Sequence, residues 1–206
     1  MAVVYNDNGE GDKALEYYRR SQSISLDIFG DGTSHVANIY NNMSNVYNQK
    51  GELDKSLEYH NKSLTINLKS LAKNQPDAVL SYHNIAKVYN VKGDQIDHAL
   101  EYYNKSLTIK LDFLGENHHE VASIYNNMGV VYKEKYELDK AIDLYNRSLG
   151  INLNTLGEND VIVGMCYTHL SENYAIKGQS DKACEHHMKA RSIYTEKLCE
   201  KHLFVA

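Results

Sequence analysis

The chain has 206 residues, of which 42% are hydrophobic and 24% charged, and its formal net charge is −5. With a mean hydropathy of −0.55 and an isoelectric point near 6.0, this is the balance of a soluble protein that buries a core. It argues against a general nucleic-acid or anionic-membrane binder. No stretch approaches the roughly 18 consecutive apolar residues of a membrane-spanning helix, and the N-terminal MAVVYNDNGEGDK lacks the basic and apolar regions of a secretory signal.

Taken in order, the chain repeats. Tyr5, Tyr47, Tyr89, Tyr132 and Tyr174 mark steps of 42, 42, 43 and 42 residues. A period of this size predicts a stack of small units, each burying its apolar face on its neighbours. Tyr5 sits where Tyr47 does, so the first unit holds only the end of its first helix, followed by a helix over Asp12 to Ile28. The connector FGDGTSH leads to VANIYNNMSNVY (Val36 to Tyr47), and SLEYHNKSLTI (Ser56 to Ile66) follows. LAKNQPD (Leu71 to Asp77) contains Pro76, the single proline, placed outside the predicted helix interiors. In the third unit GDQIDHAL replaces GELDKSL, one residue longer, which predicts a local adjustment at the helix start. ALEYYNKSLTI, LGENHHE and VASIYNNMGVVY then repeat the earlier pattern. Within Ala122 to Leu156, Ile124, Met128, Val131 and Tyr132 recur at helical spacing, as do Leu138, Ala141, Ile142, Tyr145, Leu149 and Ile151. Two amphipathic helices, A and B, therefore meet near Lys135 to Glu137. Gly51, Gly93 and Gly178 stand at the matching junctions, where a left-handed residue ends a helix cheaply.

The expected organisation is a single array over 1–198, with a partial unit at 1–34 and full units at 35–77, 78–119, 120–159 and 160–198. Residues 199–206 are a tail. The phase resembles a piece cut from a longer array, and the open first helix B would let a homo-oligomer form through that truncated end as an artefact of the cut.

The residues inside each unit resemble the tetratricopeptide repeat (TPR). The large–small–aromatic order of that family's pattern appears as Tyr125, Met128, Gly129, Tyr132, Ala141, Tyr145 and Ser148. Tyr40, Met43, Ser44, Tyr47, Ser56, His60 and Ser63 repeat it, as do Tyr82, Ile85, Ala86, Tyr89, Ala99, Tyr103 and Ser106. The last unit reads Tyr167, Leu170, Ser171, Tyr174, Ala183, His187 and Ala190, with His187 expected inside the hairpin. The 42-residue period and the LGExH connector are similar to the kinesin-light-chain branch of that family, although no sustained heptads accompany them. The resemblance implies an all-α, right-handed superhelical solenoid of antiparallel helix pairs, in which the A helices line a concave groove that takes a peptide.

Mapped onto this sequence, the groove positions are Asn38, Asn41, Asn42, Asn45 and Asn48, then His83, Asn84, Lys87 and Asn90. Asn126, Asn127, Val130, Lys133 and Glu134 continue the row, with Thr168, His169 and Glu172 in the last unit. Asparagine in a helix interior costs up to about 0.7 kcal/mol against alanine, so its concentration on helix A calls for a reason. An amide donates and accepts, and a row of amides can hold the backbone of an extended peptide. Lys87, Lys133 and His83 would then favour a ligand of acidic character. The competing reading is compositional bias towards Asn, Lys, Tyr and Ile, under which exposed asparagine is merely tolerated. The shared register of Asn42, Asn84 and Asn127 favours the groove.

Other residues carry less. Cys166 with His169 and Cys184 with His187 have the composition of a zinc set, but their expected directions diverge, and core packing is the preferred reading. His118–His119 and His186–His187 are expected to point apart into solvent. Cys166, Cys184 and Cys199 form no disulfide framework and suit a reduced, cytoplasmic setting. The Asn-x-Ser sites at Asn42, Asn61, Asn104 and Asn146 read as products of the repeat, not as glycan sites. No phosphate loop, nucleophile elbow or carboxylate pair is present, so neither an enzyme nor a cofactor is expected. The sequence thus points to a scaffold for a protein or peptide ligand, with a self-assembling spacer as the rival and an RNA-binding helical repeat counted against by the acidic charge.

Overall fold

The computed structural model of the chain describes residues 1–69, 75–93 and 95–203. Among these the secondary structure is ten α-helices and no strand. The chain forms two compact units, Met1–Ile109 and Lys110–Ala206.

The first unit contains α1 (Ala2–Asp7), α2 (Gly11–Phe29), α3 (Ser34–Gln49), α4 (Leu53–Lys69), α5 (Gln75–Lys92) and most of α6 (Ile96–Leu114). Consecutive helices from α1 to α5 pack on one another, as the apolar stripes demand. α3 is typical: Val36, Ala37, Ile39, Met43, Val46 and Tyr47 are buried along one side. Its free N-terminus is capped by Thr33, whose hydroxyl accepts from the Val36 N–H at 3.5 Å. Small residues let the helices approach, with Ser44, Ser56, Ala86 and Ala99 fully buried. An aromatic stack closes each hairpin. Tyr59 lies 5.7 Å from Tyr40 and 5.3 Å from Tyr47, and Tyr102 lies 6.0 Å from Tyr82 and 5.6 Å from Tyr89. A cation covers each stack, with Lys62 Nζ 4.7 Å from the Tyr59 ring and Lys105 Nζ 4.9 Å from that of Tyr102.

The second unit contains the last turn of α6, then α7 (His119–Glu134), α8 (Leu138–Leu156), α9 (Val161–Ile176) and α10 (Ser180–Leu203). Here too neighbours from α7 to α10 pack in sequence. Tyr145, Ala141, Val163, Cys166 and Leu170 form its core with Ile193. The hairpin stack of the last repeat is made by His186, 5.8 Å from Tyr167 and 5.3 Å from Tyr174. His187, expected inside that hairpin, is exposed instead. Its position matches His60, Tyr103 and Tyr145, and the Tyr145 ring of α8 faces the following helix, stacked on His169 of α9 at 5.0 Å. Among the described residues no helix follows α10 to receive His187 in the same way.

Three further sequence expectations meet the structure here. The extra residue of the third unit falls in the turn: α5 ends at Lys92 and α6 begins at Ile96, 43 positions after the Leu53 that begins α4. Residue 94 itself, most of the LAKNQPD connector (71–74) and the end of the proposed tail (204–206) lie outside the described residues. His118 and His119 do not point apart; their ring centroids are 4.3 Å from each other. His118 is not helical but extended, as the N-cap of α7, and its Nδ1 accepts from the Glu120 N–H at 3.2 Å.

Candidate functional site

Within each unit the A helices (α3 and α5, then α7 and α9) carry the predicted row, so each set can be located separately. In the first unit Asn41, Asn42, His83, Asn84 and Asn90 are half-buried, while Asn45 and Lys87 are exposed. Two of the amides are already joined: Asn84 Nδ2 donates to Asn41 Oδ1 at 3.1 Å, between α5 and α3. His83 stands edge-on to the Tyr103 ring at 5.5 Å. The Asn90 Oδ1 is buried without a hydrogen-bond partner among the described residues.

In the second unit Asn126, Asn127, Lys133 and His169 are half-buried. Lys133 is ion-paired with Glu172 at 3.0 Å, joining α7 to α9, so its charge is answered within the protein. His169 stacks on Tyr145 through its ring. Burial lowers the pKa of its imidazole, Glu172 pulling the other way.

Asn126 and Asn127 line a 380 Å³ pocket. Its remaining walls are His119 and Ser123 of α7, Ile162 and Met165 of α9, and a buried polar base of Ser148, Asn152 and Cys166. Asn152 Nδ2 reaches the Ser148 hydroxyl at 3.4 Å and the Cys166 sulfur at 3.5 Å. Burial raises the Cys166 thiol above its ordinary pKa, which keeps it protonated and weakly nucleophilic. The base is thus uncharged and internally hydrogen-bonded, and the mouth mixes amides with the exposed side chains of Ile162 and Met165. Such a pocket suits an uncharged group on a chain whose backbone the amides can hold.

Sequence reasoning placed Asn126 and Asn127 but missed Ser148, Asn152, Ile162, Met165 and Cys166. One signal was present. Ser-Leu-x-Ile-Asn occurs at Ser63 to Asn67 and again at Ser148 to Asn152, and Asn67 makes the equivalent contact with Ser81 at 3.4 Å. A polar pair recurring on the buried side of helix B marks a specified contact. Among the described residues no group of three or more His, Cys, Asp or Glu is placed to hold a metal ion, and Cys184 and His187 are exposed while Cys166 is buried.

The repeat model of the tetratricopeptide repeat matches residues 1–69, 35–112, 77–154 and 120–196, in overlapping windows that run through both units. The chain belongs to the tetratricopeptide repeat family. No curated protein matches the sequence significantly. Among solved structures the TPR chain is similar to BtubC (BKLC) from P. vanneervenii, at 24% identity and a TM-score of 0.86, covering 96% of this chain and 78% of that one. It is also similar to a Podosopora anserina protein of nearly identical TPR-like repeats named after the kinesin light chain, at 20% identity and a TM-score of 0.80, covering 95% and 92%. The Rap conjugation gene regulator of plasmid pLS20, solved in complex with the Phr* peptide, shares the fold at 16% identity and a TM-score of 0.72, covering 95% of this TPR chain and 52% of the regulator. Among the described residues no helix is long and apolar enough to cross a membrane.

Proposed function

We propose that this TPR chain is a non-enzymatic interaction scaffold that binds a short, extended peptide segment of a partner protein on its helix-A face. The observation that carries the reading is the pocket bracketed by Asn126 and Asn127 over the uncharged base of Ser148, Asn152 and Cys166. That the fold can serve such a role is supported by the Rap regulator, whose structure holds a peptide. In the first unit Asn42, Asn45, His83 and Asn90 form a separate polar set on α3 and α5. A preference for acidic ligands rests on the exposed Lys87, because Glu172 already engages Lys133. The cysteine usage favours the cytoplasm as the setting.

The reading is tested by selecting peptides from a random library on the intact protein, then measuring affinity for Asn126→Ala and for an Asn126→Ala/Asn127→Ala double variant. We expect losses of about tenfold and more, of the size of one or two hydrogen bonds, with an unchanged melting temperature for Asn126→Ala. Selected peptides that bind both variants as tightly as the parent would remove the helix-A face from the account.

A further inference from the structure

We infer that the pocket over Ser148, Asn152 and Cys166 selects an apolar side chain of the bound peptide, seated against Ile162 and Met165, and that it is open because Asn152 and Ile162 stand where the preceding repeat carries an ion pair. The inference rests on peptide capture by the helix-A face and names what that face accepts in the second unit.

The repeat register supplies the comparison. Asn152 of α8 is the counterpart of Lys110 in α6, and Ile162 of α9 is the counterpart of Glu120 in α7. Lys110 and Glu120 form an ion pair that runs from one helix to the next, with the Lys110 side chain 17% exposed. In the last repeat both charges are replaced together, by a short amide and an aliphatic side chain. Asn152 turns its Nδ2 to Ser148 and Cys166, and the 380 Å³ pocket lies between that floor and Ile162. The residues around Ile162 change in the same sense. Val161 stands where α3 and α7 have Ser34 and His119, and Met165 where they have Asn38 and Ser123, with Leu80 of α5 the other apolar residue in that register. Val161, Ile162 and Met165 are 45%, 47% and 48% exposed. One turn of α9 therefore presents an apolar lip that its counterparts on α3 and α7 lack.

The chemistry of this opening disfavours charge. None of the residues lining the pocket is an acid, a lysine or an arginine, and Lys133 is held by Glu172. An ionised side chain entering it would shed water and meet no counter-charge. An apolar one removes its own surface and that of Ile162 and Met165 from water. The flexible thioether of Met165 adapts to branched and unbranched partners alike, so the pocket sorts by polarity more than by shape. Asn126, on the α7 wall, stands beside it for the peptide backbone.

Titration of the intact chain, methyl-labelled at isoleucine and methionine, with acetyl-Ala-Ala-Xaa-Ala-Ala-amide reads the inference. With leucine at Xaa the Ile162 and Met165 methyl resonances should shift and saturate, while aspartate and lysine should bind at least about tenfold more weakly. Two variants are read on whichever of the two methyls remains. Asn152→Lys/Ile162→Glu, which rebuilds the ion pair of the preceding repeat, should lose the leucine response. Met165→Asn, a change at an exposed position to the residue found at Asn38, should weaken it with an unchanged melting temperature. Equal affinity for leucine, aspartate and lysine, or a leucine response undiminished by Met165→Asn, would overturn the inference. Shifts produced by raising the protein concentration alone would also overturn it, by putting a second copy in the pocket. So would silence of both methyls with leucine, and library peptides lost in Asn126→Ala/Asn127→Ala would then keep the reading of the helix-A face. Leucine shifts that persist in Asn126→Ala support the inference and remove that amide from the reading.

Discussion

Asn84 donates its side-chain amide to Asn41 across 43 positions of sequence, at 3.1 Å. The pair is therefore a tie between neighbouring A helices, and the peptide binding proposed for this row would compete for the same groups. A half-buried amide–amide bond contributes about 1 kcal/mol net.

The tie gives a measurable signature. Asn41→Ala and Asn84→Ala should each lower stability by about 0.5–1.5 kcal/mol in urea, and the double variant should lose less than the sum. Strict additivity would show that the pair contributes no coupling.

His60 gives the protein an acid limit. It is 1% exposed, its Nδ1 has no partner among the described residues, and burial pushes its pKa down to about 4. The unfolded imidazole titrates near 6.5, so between pH 6.5 and 4 the unfolded chain binds the proton that the folded chain refuses. Stability is complete above the unfolded value and declines as pH falls through this window, by about 3 kcal/mol in total. His60→Tyr, which installs the residue found at positions 103 and 145, should flatten that dependence in urea titrations at pH 7, 5.5 and 4.

Tyr136 occupies the left-handed region at φ 57°, where Gly9, Gly51, Gly93 and Gly178 stand in the other hairpin turns. Its side chain is 81% exposed, so burial returns little for the backbone strain. Tyr136→Gly should raise stability by about 1 kcal/mol. No change, or a loss, would show that the ring holds a contact worth the strain.

Gly129 and Tyr145 have been fitted to each other. A Cβ at position 129 would lie 2.7 Å from Tyr145 Cε1 and 2.9 Å from its Cζ, and that ring is fully buried. Gly129→Ala should cost about 1–3 kcal/mol. The second repeat combines Ser44 with the smaller His60 at the matching positions, so Gly129→Ser in a Tyr145→His background should cost less than either change predicts alone. Thermal unfolding of wild type, Gly129→Ala, the two other single variants and their double checks both statements.

The helix pairs and their phase were legible in the sequence because a 42-residue period superimposes five copies of the same amphipathic pattern. The site was legible only in part. Register placed the asparagines on helix A, yet which amides are already engaged depends on contacts between hairpins, and the Asn84–Asn41 bond and the Lys133–Glu172 pair leave no local trace. Ser148 was placed among the small residues of the repeat pattern but not in the site, and Asn152 was not singled out; contact with Cys166 of α9 buries both. His118 and His119 came together for a different reason: helical geometry separates adjacent side chains, but His118 stands in the extended N-cap and escapes that rule.

The ion pairs between successive hairpins set a fixed gauge. Lys50 reaches back to Asp12, Lys92 to Asp54 and Lys177 to Asp139, each across 38 residues. The one-residue expansion between Lys92 and Ile96 lies outside all three spans, in a turn that joins the two helices of a single hairpin. Length can therefore vary at that turn without changing the pitch at which one hairpin grips the next. This makes the turn between α5 and α6 a graft point, where an epitope or a fluorophore-bearing loop can be carried while these ion pairs keep their register.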